Sequence, residues 1–252
     1  MKIAFCGKGG VGKTTLAALS CWALLDLGKK VLAIDADPCP NLGMTLGFEN
    51  PEIIPVAEMK DLIAERMGIK GADRTFYQLN PKIEDLPDRL VLRQGNLGLL
   101  VMGMIKKGGS GCACPESTFL KQLLRHLLLN KNEAVVMDME AGLEHLGRAT
   151  TESVDRLVIV AEPDIKNIKI QEQIKKLAKD IGIKNVSLLA NKIKTPADSD
   201  FMERNIKDIE IIGEISYNSN LEELARSGDF SSLKKEKIYQ EVKGVVHKCL
   251  MS

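Results

Sequence analysis

Gly7-Lys8-Gly9-Gly10-Val11-Gly12-Lys13-Thr14 is the stretch on which the fold turns. It follows a short apolar run at residues 3–6 and precedes residues 14–27, where Leu16, Leu19, Ala23, Leu24 and Leu27 recur at spacings of three and four. A buried strand, a glycine-rich turn and a helix in that order are the context a phosphate-binding loop requires. The glycines let backbone N–H groups converge without Cβ clashes, and the helix N-terminus adds a partial positive charge where phosphates would rest. In this pattern Lys13 reaches the β- and γ-phosphates and the Thr14 hydroxyl holds Mg²⁺, with Thr15 beside it in the nucleotide-binding stretch. Lys8 is a second lysine in a loop that already has Lys13 for the phosphates. Taken alone, it is also compatible with a solvated side chain.

Further along, apolar runs alternate with helical patterns. Strands are expected at residues 29–34, 90–93, 134–137, 157–160, 185–190 and 209–215, and helices at 61–67, 118–129, 165–180 and 234–250, with Ser117 or Thr118 as a cap of the second. Residues 46–58 read as irregular, and residues 95–110 are too rich in glycine for an assignment. Such alternation predicts a single-domain α/β fold over residues 1–252, a mainly parallel sheet flanked by helices on both faces. Asp35, Asp37 and Asp138 each follow a strand pattern. Carboxylates at the C-terminal edge of a parallel sheet face the ligand crevice, and Mg²⁺ takes oxygen donors. Asp35 reads equally as a cap of the following turn.

With 252 residues the chain has the length of one large domain, and its net charge of +1 gives no electrostatic reason to expect nucleic acid. No run of 18 apolar residues occurs, so no stable membrane insertion is expected. The first residues lead directly into a strand pattern without a secretory signal, which places the chain in the cytoplasm as an expectation.

Six cysteines (6, 21, 39, 112, 114 and 249) show no disulfide framework, and Cys6 and Cys21 read as buried small side chains. Cys112-Ala113-Cys114 differs. Two thiolates separated by one residue can converge on a soft cation such as Ni²⁺ or Zn²⁺, but they supply half of a four-coordinate shell. A symmetric homodimer would supply the other half, two sulfurs from each subunit on the two-fold axis. A redox pair and two structural cysteines remain alternative readings, as does a further ligand from Cys39 or His126.

The loop with its early lysine resembles that of the MinD/ParA and nitrogenase iron-protein ATPases. Together with the aspartates and Cys112/Cys114, the whole chain resembles the nickel-insertion accessory ATPases of carbon monoxide dehydrogenase, the CooC family, or their acetyl-CoA synthase maturation relatives. The resemblance implies ATP/ADP and Mg²⁺ as cofactors, Ni²⁺ or Zn²⁺ at the cysteines, and a nucleotide- and metal-dependent homodimer. Carbon monoxide dehydrogenase or acetyl-CoA synthase would be the client. It implies that Lys8 crosses to the partner's phosphates, that Asp37 opens the first switch and orients the attacking water, and that Asp35 lies near the metal's outer sphere. Asp138 becomes the carboxylate that holds Mg²⁺ directly or through water, and Gly142 the second-switch glycine; Met139-Glu140 departs from the usual Thr or Pro there, leaving Glu140 without an assigned role. Asn191-Lys192 resembles the family's base-recognition corner, and Lys194 stands where an Asn-Lys-x-Asp guanine motif would have its aspartate, which favours adenine. A positioning switch of the ParA/MinD kind, with DNA or a membrane as partner, is the alternative.

Overall fold

The computed structural model describes residues 1–48, 53–69, 77–103, 115–129, 133–141 and 154–251. Among these residues eight strands form one sheet: β1 (Lys2–Cys6), β2 (Val31–Ala36), β3 (Leu92–Gln94), β4 (Leu97–Val101), β5 (Ala134–Met139), β6 (Arg156–Ala161), β7 (Val186–Ile193) and β8 (Glu210–Ser216). Their spatial order is β3-β4-β2-β5-β1-β6-β7-β8. Every neighbouring pair is parallel except β3 with β4, an antiparallel hairpin at the edge. The expected α/β class and mainly parallel sheet are therefore observed. Strands β2, β5 and β6 are buried at every residue, because helices cover both faces of the sheet.

One face carries α1 (Lys13–Asp26), α2 (Leu42–Leu46) and the last helix, α9 (Lys237–Met251). Helix α1 is buried continuously from Leu16 to Leu24, sandwiched between the sheet and α9, which explains its apolar composition on all sides. The Tyr239 hydroxyl of α9 donates to Asp26 Oδ2 at 2.8 Å, at the far end of α1 from the loop. The other face carries α3 (Lys60–Arg66), α5 (Pro115–Leu129) and α6 (Ile165–Ile181), packed through Ile63, Phe119, Leu123 and Ile174. Helices α4 (Leu86–Leu90), α7 (Pro196–Asn205) and α8 (Leu221–Ser227) are shorter connections.

Several expected boundaries move. Residues 90–93 split between the end of α4 and the start of β3, and the glycine-rich stretch after 95 contains a complete buried strand, β4. Gly98 permits this: a Cβ there would lie 2.8 Å from Val91 and close to Leu32, so the glycine marks tight packing. Of the described residues in 46–58, Leu46 ends α2 and Val56–Glu58 form a 3₁₀ turn. Among the described residues helix α5 spans Pro115–Leu129, so Ser117 and Thr118 lie inside it rather than ahead of it. Helix α7, which the sequence reading passed over, starts at Pro196 behind a capping box of Thr195 and Asp198. The final helix begins at Lys237, after a 3₁₀ segment at Ser231–Lys235. Among the described residues no helix is long and apolar enough to cross a membrane.

Candidate functional site: a phosphate loop at the sheet edge

The loop after β1 sits at the point where the chain reverses its direction of travel across the sheet, since β1 is followed by β2 on one side while β6 lies on the other. Crevices at such points are the ligand sites of open α/β sheets. Gly7 has φ +149°, and a Cβ there would run into the Val160 carbonyl of β6. Gly12, with φ +95°, is the residue before α1, and no side chain caps that helix. The first turn of α1 contains no acid, so its free N–H groups and positive end stay available to an anion. Lys13 is the first residue of α1 and is buried, its Nζ donating to the Lys8 carbonyl at 3.2 Å. Gly9 and Gly10 are exposed, Val11 is buried beneath them, and Thr15 is half-buried. The Lys8 side chain is half-buried too; among the described residues it makes no hydrogen bond or ion pair.

Asp35 and Asp138 are register partners on β2 and β5, and both side chains are fully buried. They lie within their strands, because β2 extends to Ala36 and β5 to Met139. The Thr14 hydroxyl donates to Asp138 Oδ2 at 2.6 Å, while Asp138 Oδ1 is buried with no partner among the described residues. Burial pushes the Asp138 carboxyl up to about 6, against the opposing effects of the Thr14 bond and the Lys13 charge. Asp35 accepts from the backbone N–H of Leu42 at 2.8 Å and of Asp37 at 3.2 Å, so it ties the start of α2 to the loop before it. Burial pushes Asp35 up to about 7, with the neighbouring Asp138 adding to the rise. Asp37 is half-buried, and its Oδ1 accepts from the Cys39 N–H at 2.9 Å. Cys39 is exposed.

These raised values predict a pH dependence. Below about pH 3.8, the ordinary Asp value, Asp138 is protonated in both the folded and the unfolded chain and has no effect. As pH rises toward 6 the unfolded chain releases its proton first, so stability falls across that window and the cost persists above it. Without nucleotide or divalent cation, Asp138→Asn is therefore expected to melt higher than wild type at pH 8. That gap should close as pH falls to 4; a constant gap across pH would contradict a titrating cause.

Asn191 and Lys192 lie on β7 itself, and both reach the loop. Asn191 is buried, and its Nδ2 donates to the Val11 carbonyl at 2.7 Å. A Val11 carbonyl only accepts, so the amide nitrogen spends one of its two N–H donors there, and the second N–H and Oδ1 are left for the base-reading role expected from the resemblance. Lys192 Nζ donates to the Gly10 carbonyl at 2.8 Å and pairs with Glu162 Oε1 at 2.6 Å. The sequence reading gave Glu162 no part in the loop; its place directly after β6 was the available signal. A Cβ on Gly12 would lie 2.5 Å from Asn191 Nδ2. Gly12→Ala is thus expected to cost about 1–3 kcal/mol from the left-handed backbone alone. It should also displace Asn191 and weaken nucleotide binding, which thermal melts and binding titrations would show.

Cys112, Cys114 and Gly142 fall outside the described residues. Among the described residues no group of three His, Cys, Asp or Glu side chains could hold a metal ion. Cys6 is buried beneath the loop, its thiol pushed by desolvation up to about 12, and Cys21 is buried and raised for the same reason. Such thiols stay protonated and inert. His126 is half-buried on α5.

A glycine loop between a central parallel strand and an uncapped helix, with buried carboxylates on β5 beside that strand and on β2 next to β5, defines a phosphate-loop nucleotide-binding protein. The family model for the CobQ/CobB/MinD/ParA nucleotide binding domain matches residues 3–231, and the chain belongs to that family. An uncharacterized ATP-binding protein of Methanocaldococcus jannaschii is 43% identical over 225 residues, 88% of this chain and 87% of its own length. The carbon monoxide dehydrogenase accessory protein CooC of Rhodospirillum rubrum is 40% identical over 231 residues, 90% of this chain and 88% of its own. Among solved structures, the MinD cell division protein of Aquifex aeolicus has the same fold, with a TM-score of 0.70 at 22% identity over 100% of this chain and 98% of that one. The MinD protein of Pyrococcus horikoshii, solved with Mg-ADP, superposes with a TM-score of 0.65 at 21% identity over 98% and 95% of the two chains.

Proposed function

We propose that the chain is an ATP-dependent metallochaperone that hydrolyses ATP to assist nickel insertion into carbon monoxide dehydrogenase. The observation that carries this reading is the 40% identity to CooC along 90% of the chain. The Cys112/Cys114 pair supplies the chemistry that a soft metal cargo needs.

In this reading the backbone N–H groups of the loop and the start of α1 receive the phosphates, and Lys13 turns from the Lys8 carbonyl toward them. The residues suit Mg²⁺: the Thr14 hydroxyl meets one oxygen of Asp138 while the other is buried without a partner among the described residues, a donor set made of oxygens. Thr14, Asp138 and Asp37 would hold the ion, which when bound neutralises charge on the phosphates. Asp37 lies on the loop that Asp35 anchors, and from there it orients water for in-line attack. Lys8 completes the partner's site in the ATP-bound homodimer, and the dimer brings two Cys112/Cys114 pairs together around one nickel. Nucleotide and nickel then favour the same assembly, so each raises the other's affinity. Acetyl-CoA synthase is the other client compatible with this chemistry. A positioning switch of the MinD or ParA kind leaves Cys112 and Cys114 without a task.

The test is the mass in solution of the anaerobic protein, titrated with nickel in the presence and absence of Mg-ATP. A dimer carrying one nickel is expected, formed at lower nickel concentration when Mg-ATP is present. A monomer at every nickel concentration would overturn the shared site, and a brown protein absorbing in the visible would point instead to an iron–sulfur cluster.

A further inference from the structure

Lys192 is one of two non-glycine residues with positive φ among the described residues, at +61°. Left-handed backbone is disfavoured for a lysine, and its persistence asks what it achieves. In a regular strand, consecutive side chains point to opposite faces of the sheet. Asn191 and Lys192 are consecutive residues of β7, yet both reach carbonyls of the phosphate loop, Val11 and Gly10 respectively. The left-handed residue breaks the alternation, and the pairing of β7 with β8 is irregular over the same residues, between Ala190 and Ile193.

We propose that Lys192 and Glu162 are positioning residues of the nucleotide site, a strap that fixes the phosphate loop in its binding geometry before nucleotide arrives. The inference rests on the reading of this loop as the nucleotide site. A peptide group is planar and trans, so its C=O and the following N–H point in opposite directions. Holding the Gly10 carbonyl sets the direction of the Val11 N–H, and holding the Val11 carbonyl sets that of the Gly12 N–H. Lys192 and Asn191 thereby fix two successive peptides of the loop from one side. Little else does so, since Val11 N–H reaches the Lys8 carbonyl only at 3.5 Å. Glu162 holds the ammonium where it must be, with Oε1 2.6 Å from Nζ. Both partners are partly exposed, at 34% and 28%, so their pairing adds little to folding stability. Its effect falls on loop geometry, and through that on phosphate binding.

Lys192→Asn tests this, because asparagine tolerates left-handed backbone but cannot carry an ammonium to Gly10. ATP and ADP are expected to bind about tenfold more weakly, as for loss of a charged hydrogen bond, while the melting temperature stays at or above that of wild type. Glu162→Gln should produce part of the same loss, and the double substitution no more than Lys192→Asn alone, because Glu162 acts through the lysine. Lys192→Arg should restore binding. Amide hydrogen exchange at Val11 and Gly12 without nucleotide should quicken in Lys192→Asn. Unchanged nucleotide affinity and exchange with a lowered melting temperature would reduce the strap to a structural tie and overturn the proposal. If wild type bound no nucleotide, the reading of the site would fall, and the exchange measurement would still decide whether Lys192 orders the loop.

Discussion

Lys13→Ala is expected to lower kcat/KM for ATP hydrolysis by about a hundred- to thousandfold, the cost of removing one preorganised donor from charge that develops in a transition state. The residue is placed for this before any nucleotide is present. It is the first residue of α1 and 6% exposed, and its ammonium is folded over the loop onto the Lys8 carbonyl. Alanine is the best helix former, so α1 should persist, and the buried Asp138, which loses the Lys13 charge, keeps its hydrogen bond from Thr14. The comparison to make is phosphate release by wild type and variant at equal melting temperature. Residual activity within a factor of about three, far short of what one donor is worth, would show that Lys13 does not face the transferred phosphoryl group.

Replacing both Cys112 and Cys114 by alanine is expected to abolish nickel-dependent dimerisation and to weaken nickel binding by more than about a hundredfold, beyond what the loss of an outer-sphere partner does. Nickel-independent ATP binding should persist, because the phosphate loop, Asp37 and Asp138 are untouched. Thiols must lose protons to ligate the ion, so nickel affinity in wild type should fall as pH drops below about 8.5, the ordinary thiol value. The double variant should lack that dependence. Nickel-induced dimers that survive the double substitution would show that other residues hold the metal.

The sequence made the centre of the fold legible and its edges less so. Strand, loop and helix around residues 7–14 could be read because each is specified locally: the apolar run, the glycines and the three-and-four spacing all lie within one window. The strand of residues 97–101 could not, because Gly98 reads as a breaker from composition. Its use is the close approach of Val91 and Leu32, side chains that lie elsewhere in the chain. Helix α7 was hidden for the opposite reason. It is polar on most of its surface, with Met202 its buried residue, so it has little apolar periodicity, and its start is marked only by Thr195, Pro196 and Asp198. Asp35 and Asp138 were found as strand-end acids, whereas in the structure they are neighbours within the sheet, both buried. Nothing in either segment announces that pairing.

By itself, then, the sequence determined the class of chemistry: a loop that takes phosphate, oxygen donors for a hard cation, and a thiol pair suited to a soft one. The loop and the thiol pair are residue types at short spacing, which is preserved in any fold the chain adopts, whereas the oxygen donors were read from acids after separate strand patterns, Thr14 and Asp138 lying 124 residues apart. Only the tertiary structure decided which groups are engaged and which remain free. It turned the Asn191 amide nitrogen inward onto Val11, 180 residues away, and brought the Lys192 ammonium to the Gly10 carbonyl. It also left one oxygen of Asp138 buried without a partner among the described residues. These outcomes depend on which strands the topology sets side by side, and a contact between β7 and the loop after β1 has no local pattern to reveal it.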